Sequence, residues 1–144
     1  MKKKIAIGSD HAGYQLKEVL VNYLKEMGWE TVDFGCHSEE SIDYPDYAHP
    51  VADFVEKEAL FGVLICGSGN GISMSANKHK GVRCALSWTS EIAMMARQHN
   101  DANILSLPAR YISKEEAIAC LEVFLSTGFE GGRHQKRVNK IAQQ

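Results

Sequence analysis

Short, continuous apolar runs alternate along this chain with longer apolar stripes of helical spacing. The short runs predict five strands, at 4–9, 30–34, 60–66, 82–86 and 103–107. The stripes predict helices at 13–27, 45–58, 70–77, 90–98, 113–125 and 131–141. Because strands and helices alternate, and the strands are apolar enough for burial on both faces, we expect an α/β fold. The expected architecture is a doubly wound three-layer α/β/α sandwich with a five-stranded parallel sheet.

Capping residues indicate where several of these helices begin. Pro45 suits the first turn of the second helix. Ser90 is predicted to cap the fourth helix, and Ser113 with Glu116 forms a predicted capping box for the fifth. These starting points agree with the alternation of strand and helix.

Length and composition favour a single domain over residues 1–144. The chain has 144 residues, 44% of them hydrophobic, which is enough for one sizeable core. Its formal net charge is −2, so no global basic field attracts nucleic acid or an anionic membrane. The N-terminal apolar run IAI is too short for a signal segment or a membrane span. We therefore expect a cytoplasmic protein that binds neither nucleic acid nor membrane.

The four cysteines are predicted to be unpaired. Cys36, Cys66, Cys84 and Cys120 form no C-x-x-C pair and lack the close spacing of a zinc site. Cys84 and Cys120 lie in apolar sequence, so we interpret both as core thiols. This pattern is typical of a reducing compartment.

A glycine-rich turn follows the central strand directly. Cys66 ends that strand, and the next residues are Gly67, Ser68, Gly69, Asn70 and Gly71. Ligands of open α/β sheets bind beyond the carboxyl ends of the strands, and closely spaced glycines let backbone N–H groups surround an anionic oxygen. A nearby helix N-terminus favours the thiolate of Cys66, which makes it a candidate base. The alternative is a buried structural cysteine before a tight turn.

Two further polar groups fall at opposite edges of the predicted sheet. Asp10 and His11 follow the first strand, at the same edge as Cys66, where they could transfer protons or hold a phosphate. Alternatively, Asp10 caps the next helix and His11 faces solvent. His99 and Asn100 precede the fifth strand and lie at the other edge, so a second subunit must supply one group if His99 and Cys66 act together. Their alternative is a favourable helix C-terminus with Asn100 as a left-handed cap.

Basic residues near the C-terminus form a candidate phosphate site. Arg133 and Arg137 are four positions apart, so one helix would present both guanidinium groups on the same face. Arg110, after the fifth strand, is a further candidate anion contact. The alternative is a basic final turn that faces water.

Five motifs in this chain, in their order, identify a resemblance to a known family. They are SDHAGY at 9–14, DYPDYA at 43–48, CGSGNGISMSANK at 66–78, RQHNDANIL at 97–105 and GGRHQKRV at 131–138. The set resembles the type B ribose-5-phosphate isomerases, whose wider family includes allose-6-phosphate and galactose-6-phosphate isomerases. The resemblance implies a Rossmann-like fold and a metal-free, cofactor-free interconversion of D-ribose 5-phosphate and D-ribulose 5-phosphate. It also implies a homodimer with shared active sites, possible assembly into a tetramer, and a C-terminal helix at about 131–142 that contacts the partner.

The resemblance assigns roles by motif. Cys66 matches the proton-abstracting base, His99 matches the acid that opens the sugar ring, and the backbone of Gly67 to Gly71 matches the enediolate-binding loop. Positions that match sugar, phosphate or other substrate contacts are Asp10, His11, Asn100, Arg110, Arg133 and Arg137. We add Asp10 and the hydroxyl of Ser68 to the candidate catalytic groups.

Two positions separate this chain from parts of the family. Ile72 stands where another branch has a glutamate base, so the chain resembles the cysteine branch. Pro108 stands where many relatives have glycine, a difference that could shift Arg110.

Two alternative functions remain open on the sequence. One is isomerisation of a six-carbon sugar phosphate, allose 6-phosphate or galactose 6-phosphate, which depends on the depth of the pocket. The other is a non-catalytic module that binds FMN or a nucleotide, in which Cys66 and His99 would have no role.

Overall fold

All five predicted strands form a single parallel sheet. The computed structural model describes residues 3–58 and 60–143. The strands are β1 Lys4–Ser9, β2 Glu30–Asp33, β3 Phe61–Cys66, β4 Cys84–Leu86 and β5 Ile104–Pro108. Their order is β2-β1-β3-β5-β4, and every neighbouring pair is parallel. The predicted α/β sandwich is therefore confirmed, with β3 at its centre.

Within the described residues, six α-helices connect or follow these strands. They are α1 Tyr14–Glu26, α2 Pro45–Glu58, α3 Asn70–Ala76, α4 Ser90–Asn100, α5 Lys114–Ser126 and α6 Gln135–Asn139. Short 3-10 turns lie at His11–Gly13, Ala109–Tyr111 and Gly132–His134. No helix in the described ranges is long and apolar enough to cross a membrane.

Both faces of the sheet are covered by helices. On one face, α1, α4 and α5 bury residues such as Leu20, Ala93 and Phe124 against the sheet. On the other face, α2 and α3 bury Val51 and Ile72. Strand side chains alternate between these two cores, which explains why the central strands are apolar throughout.

Several predicted helix boundaries are wrong by one residue or one turn. Thr89 caps α4 instead of Ser90, because its extended backbone lets Thr89 Oγ1 accept a hydrogen bond from the Ile92 N–H at 3.3 Å. Asn100 is the last residue of α4, and it is Asp101 that adopts the left-handed conformation, with φ 48°. The predicted terminal helix is a 3-10 turn followed by the five-residue α6.

The predicted capping box of α5 is half formed. Ser113 Oγ accepts from the Glu116 N–H at 3.0 Å, as predicted. The Glu116 carboxylate, however, accepts from the backbone N–H of Ser90 at 3.2 Å. Glu116 therefore links the beginnings of α5 and α4 instead of closing the cap of its own helix.

Candidate active site

Cys66 ends the central strand and is almost completely buried. Cys66 is 4% exposed, and its backbone pairs with that of Pro108 in β5. The preceding residue, Ile65, pairs with Ser9 of β1. The thiol therefore lies at the carboxyl edge of the sheet, between the ends of two neighbouring strands, which is where ligands of open α/β sheets bind.

The glycine loop after Cys66 has a fixed conformation. Gly69 has φ +77°, and an added Cβ would lie 2.4 Å from Leu86 Cδ1. Both the backbone conformation and this close contact therefore exclude a side chain at position 69. The buried Ser106 hydroxyl donates to the carbonyl of Gly69 at 3.0 Å. Ser68 Oγ accepts from the Asn70 N–H at 3.3 Å. The loop is thus anchored to β5 before α3 begins.

Tyr44 covers the far end of this loop. An added Cβ on Gly71 would lie 2.4 Å from Tyr44 Cζ, so the tyrosine ring packs directly over the glycine. Tyr44 belongs to the DYPDYA motif but was not among the predicted site residues. Its closeness to Gly71 depends on how the segment before α2 crosses the sheet edge, which apolar spacing does not reveal.

Asp10 and His11 lie next to the same edge and are held by backbone groups. Asp10 is 7% exposed, and its backbone N–H donates to the Ile65 carbonyl at 3.1 Å. Asp10 Oδ1 accepts a hydrogen bond from the Gly13 N–H at 3.1 Å. Asp10 therefore caps the turn that follows β1, which was the alternative interpretation of this residue. His11 Nδ1 accepts from the Ile42 N–H at 3.2 Å, which anchors the loop before α2. His11 is therefore bonded and partly buried, not a free solvent-facing side chain.

Arg110 lies directly against the loop despite the proline before it. Its backbone N–H donates to the carbonyl of Gly67 at 2.9 Å. An added Cβ on Gly67 would lie 3.1 Å from Arg110 Nη1, so the guanidinium crosses the face of that glycine. Pro108 ends β5, and the 3-10 turn that follows places Arg110 beside Gly67. A positive charge therefore lies next to the glycine loop.

The other thiols have different surroundings. Burial raises the pKa of Cys84 to about 12, and the nearby Cys66 adds to this increase. Burial raises the pKa of Cys120 to about 11. Both thiols stay protonated at neutral pH and pack against the two cores, as the sequence predicted.

A second polar cluster surrounds His99. Its ring stacks on the ring of His134, with centroids 4.4 Å apart and an interplanar angle of 12°. Glu130 Oε1 lies 3.6 Å from His134 Nε2 and 4.0 Å from His99 Nε2. The Glu130 backbone N–H donates to the Gln98 carbonyl at 3.0 Å, which fixes this segment beside α4. The sequence prediction did not include Glu130 or His134, although both lie in or next to the GGRHQKRV motif.

His134 is shifted towards its neutral form. Burial lowers its pKa most, interactions with His99, Arg133 and Arg137 lower it further, and the Glu130 carboxylate opposes them. Both arginines are exposed and lie near this ring. Arg133 lies in the 3-10 turn and Arg137 in α6, so the predicted single helix carrying both guanidinium groups is wrong. The two arginines and the two histidines still form one basic cluster.

The two clusters lie at opposite edges of the sheet within one chain. Cys66, the glycine loop, Asp10, His11 and Arg110 lie at the carboxyl edge. His99 and Asn100 end α4 just before β5 begins, at the amino edge, together with the C-terminal arginines. A site that used both Cys66 and His99 would therefore combine two copies of the chain.

The His99 cluster also has the composition of a metal site. Ligand atoms of His99, Glu130 and His134 all lie within 4.8 Å of one another. The stacked rings and the adjacent arginines favour an anion here over a cation, because Arg133 and Arg137 add positive charge. The added positive charge therefore disfavours a metal ion at this cluster.

Comparisons with known proteins identify the relatives of this chain. Residues 5–141 match the family described as ribose/galactose isomerase. The ribose-5-phosphate isomerase B of Escherichia coli K12 is 45% identical over 140 residues, covering 96% of this chain and 94% of that protein.

Solved structures give the same result. A ribose 5-phosphate isomerase from Thermotoga maritima superposes with a TM-score of 0.97 at 50% identity, covering 100% of both chains. Ribose-5-phosphate isomerase B from Mycoplasma genitalium, solved with bound ribulose-5-phosphate, superposes with a TM-score of 0.95 at 44% identity. That match covers 99% of this chain and 96% of the other. On these matches the chain belongs to the ribose/galactose isomerase family.

Proposed function

We propose that this protein interconverts D-ribose 5-phosphate and D-ribulose 5-phosphate through a cis-enediolate, with Cys66 as the base. The observation that carries the proposal is a buried thiol at the end of the central strand, followed at once by a fixed glycine loop against Arg110. Family membership and the ribulose-5-phosphate bound to the Mycoplasma genitalium relative support the substrate class. The same family membership favours an isomerase over a module that only binds FMN or a nucleotide.

The reaction is a pair of proton transfers between adjacent carbons. His99 assists opening of the furanose, which exposes the C1 aldehyde. Cys66 thiolate then removes the proton from C2, and the electron pair moves to form the C1–C2 double bond with the charge on O1. The hydroxyl proton passes from O2 to O1, and the Cys66 thiol returns its proton to C1, leaving a carbonyl at C2. The steps balance without an oxidant, so the chemistry requires no redox cofactor.

The glycine loop stabilises the enediolate oxygen. Backbone N–H groups from Gly67 to Gly71 surround the position where negative charge develops, and Ser68 adds a hydroxyl. In enzymes that use this device, loss of one such donor costs about 2.7–4 kcal/mol of transition-state stabilisation. Asp10 and His11 bind the sugar hydroxyls from the end of β1.

The phosphate is held by arginines. Arg133 and Arg137 supply charged donors at one end of the substrate, and Arg110 contacts the substrate beside Gly67. Phosphate binding positions C1 and C2 against the Cys66 thiolate, so binding energy is used for catalysis. Asn100 contributes a sugar contact next to His99.

We further propose a homodimer with two shared sites. The carboxyl edge of one copy faces the His99 cluster of the other, and the C-terminal segment at 131–142 contacts the partner. An exposed apolar groove beside Ser68 supports this, since Trp88 is 53% and Tyr111 76% exposed there. Pairs of these dimers would give the tetramer. A cytoplasmic location is favoured by the four unpaired thiols.

A substrate comparison tests the proposed activity. The purified protein is assayed with ribose 5-phosphate, allose 6-phosphate and galactose 6-phosphate, and kcat/KM is compared. We expect ribose 5-phosphate to give the highest value. A higher value for a six-carbon substrate would reassign the specificity, and no turnover of any sugar phosphate would contradict the proposed function.

A further inference from the structure

A cluster of two histidines and two carboxylates lies on the outer side of α2, away from both polar clusters described above. His49, Asp53 and Glu56 are spaced by four and three positions along α2, so they share one face of the helix. His79, in the turn between α3 and β4, packs against that face. The cluster therefore joins a helix to a neighbouring turn.

The spacing of the ligand atoms fits a tetrahedral ion. His79 Nδ1 lies 3.3 Å from Asp53 Oδ1 and 3.4 Å from Glu56 Oε1, and the three ligand atoms lie within 4.8 Å of one another. Bonds of about 2.0–2.2 Å to a tetrahedral zinc ion separate ligand atoms by about 3.3–3.6 Å. A direct charge-assisted hydrogen bond would be shorter, at about 2.7–2.9 Å. Both distances from His79 Nδ1 therefore match the separation of ligands on one zinc ion.

Outer contacts orient two of these three ligands. Glu56 Oε2 accepts from the Gly81 N–H at 2.6 Å, which directs Oε1 towards His79. His79 Nε2 lies 2.7 Å from His49 Nδ1. If Nε2 carries the proton and donates to His49, the Nδ1 lone pair of His79 is available to a metal. Metal-binding histidines commonly have such a partner on the second ring nitrogen.

We propose that this chain binds one Zn²⁺ ion through Asp53 Oδ1, Glu56 Oε1 and His79 Nδ1, with water as the fourth ligand and His49 as the outer partner of His79. Two carboxylates neutralise the charge of the ion, and mixed nitrogen and oxygen ligands suit zinc. The proposal is independent of the isomerase activity, because none of these residues belongs to the candidate active site.

The ion would join two elements that border the glycine loop. Asp53 and Glu56 lie on α2, whose preceding residue Tyr44 covers Gly71 at the start of α3. His79 follows the other end of α3. Bound zinc therefore stabilises the packing of α2 against α3, and because it binds the folded state, it raises Tm.

Zinc binding to the full chain tests the proposal. Protein treated with EDTA and dialysed is titrated with Zn²⁺ alone by calorimetry, Tm is followed, and Co²⁺ is added in parallel to detect the visible absorption of a tetrahedral site. We expect one Zn²⁺ per chain at this cluster and a higher Tm. Asp53→Asn and His79→Gln should each weaken binding at least about tenfold, and His49→Phe should weaken it about 10- to 100-fold.

Glu130→Gln is the matched control, because it removes a carboxylate from the other metal-like cluster, at His99. We expect Glu130→Gln to keep the zinc site that Asp53→Asn loses, with circular dichroism showing that both variants fold. Absence of Zn²⁺ binding would overturn the proposal. So would binding that is unchanged in Asp53→Asn but lost in Glu130→Gln.

Discussion

Cys66 and Cys84 lie close enough to influence each other, yet their surroundings differ. Burial raises the pKa of Cys84 to about 12, so this thiol is protonated at any physiological pH. Cys66 ends β3 beside a glycine loop and the Arg110 guanidinium. A thiol must form its anion to act as a base, and Cys66 is the thiol that we propose for this role.

Replacing the proposed base should greatly reduce turnover but leave substrate binding intact. We expect Cys66→Ser to lower kcat by about 10²- to 10⁴-fold, because a serine hydroxyl is a far weaker base at neutral pH. KM for ribose 5-phosphate should change little, since the arginines are intact. Steady-state kinetics of both enzymes in one buffer provide the measurement.

Cys84→Ser is the matched control for that experiment. It makes the same atomic change at a thiol that stays protonated, so kcat should remain within about twofold of the unmodified protein. Equal kcat for Cys66→Ser and the unmodified protein would remove the thiol from the mechanism.

At the residue scale, the candidate site was predictable wherever its parts are adjacent in sequence. Cys66 and the glycines after it show a buried strand and a tight turn within one short stretch. Tyr44, Glu130 and His134 were missed because their positions near the candidate site depend on contacts with residues distant in the chain. Capping and apolar spacing carry no information about such contacts.

At the scale of elements, burial explains what the sequence could predict. Val63, Leu64 and Ile65 are fully buried because β3 is central, so their continuous apolar run identifies a strand. Ser90 and Thr89 are adjacent capping candidates, and only the extended backbone of Thr89 distinguishes them. The capping residue was therefore beyond sequence reasoning, whereas the helix was not.

The C-terminal element shows a different limit. Gly131 and Gly132 both have positive φ, at 69° and 53°, which no right-handed α-helix allows. The regular α6 therefore starts at Gln135, after the 3-10 turn that carries Arg133. Glycine at these positions was compatible with a helix start, and the backbone angles were needed to exclude it.

This element should contribute binding energy through Arg137. We expect Arg137→Ala to raise KM for ribose 5-phosphate roughly tenfold or more, because a hydrogen bond to a charged group contributes about 1.5–3 kcal/mol. Initial rates over a range of substrate concentrations measure the change. Lys136→Ala, on the same short helix, is the control and should leave KM near its original value. An unchanged KM in Arg137→Ala would make the arginine a structural residue.

At the scale of the whole molecule, the parallel sheet separates the two groups that we propose for the reaction, Cys66 and His99. Residues that follow β3 and residues that precede β5 lie at opposite edges, and this much follows from the strand and helix order alone. The spacing of apolar residues along the chain does not show which surface of a second copy would bring the two sheet edges together. Neither edge of one chain carries both Cys66 and His99. The proposed mechanism therefore requires the assembly of two copies.

Mixing two inactive variants tests the shared site most directly. Cys66→Ser and His99→Asn are each prepared alone, then unfolded and refolded together in equal amounts, and isomerase activity is measured. If each site takes Cys66 from one copy and His99 from the other, every mixed dimer regains one intact site. Half the dimers are then mixed, so activity should return to about a quarter of that of the unmodified protein. Activity no greater than the sum of the two separate variants would contradict the account.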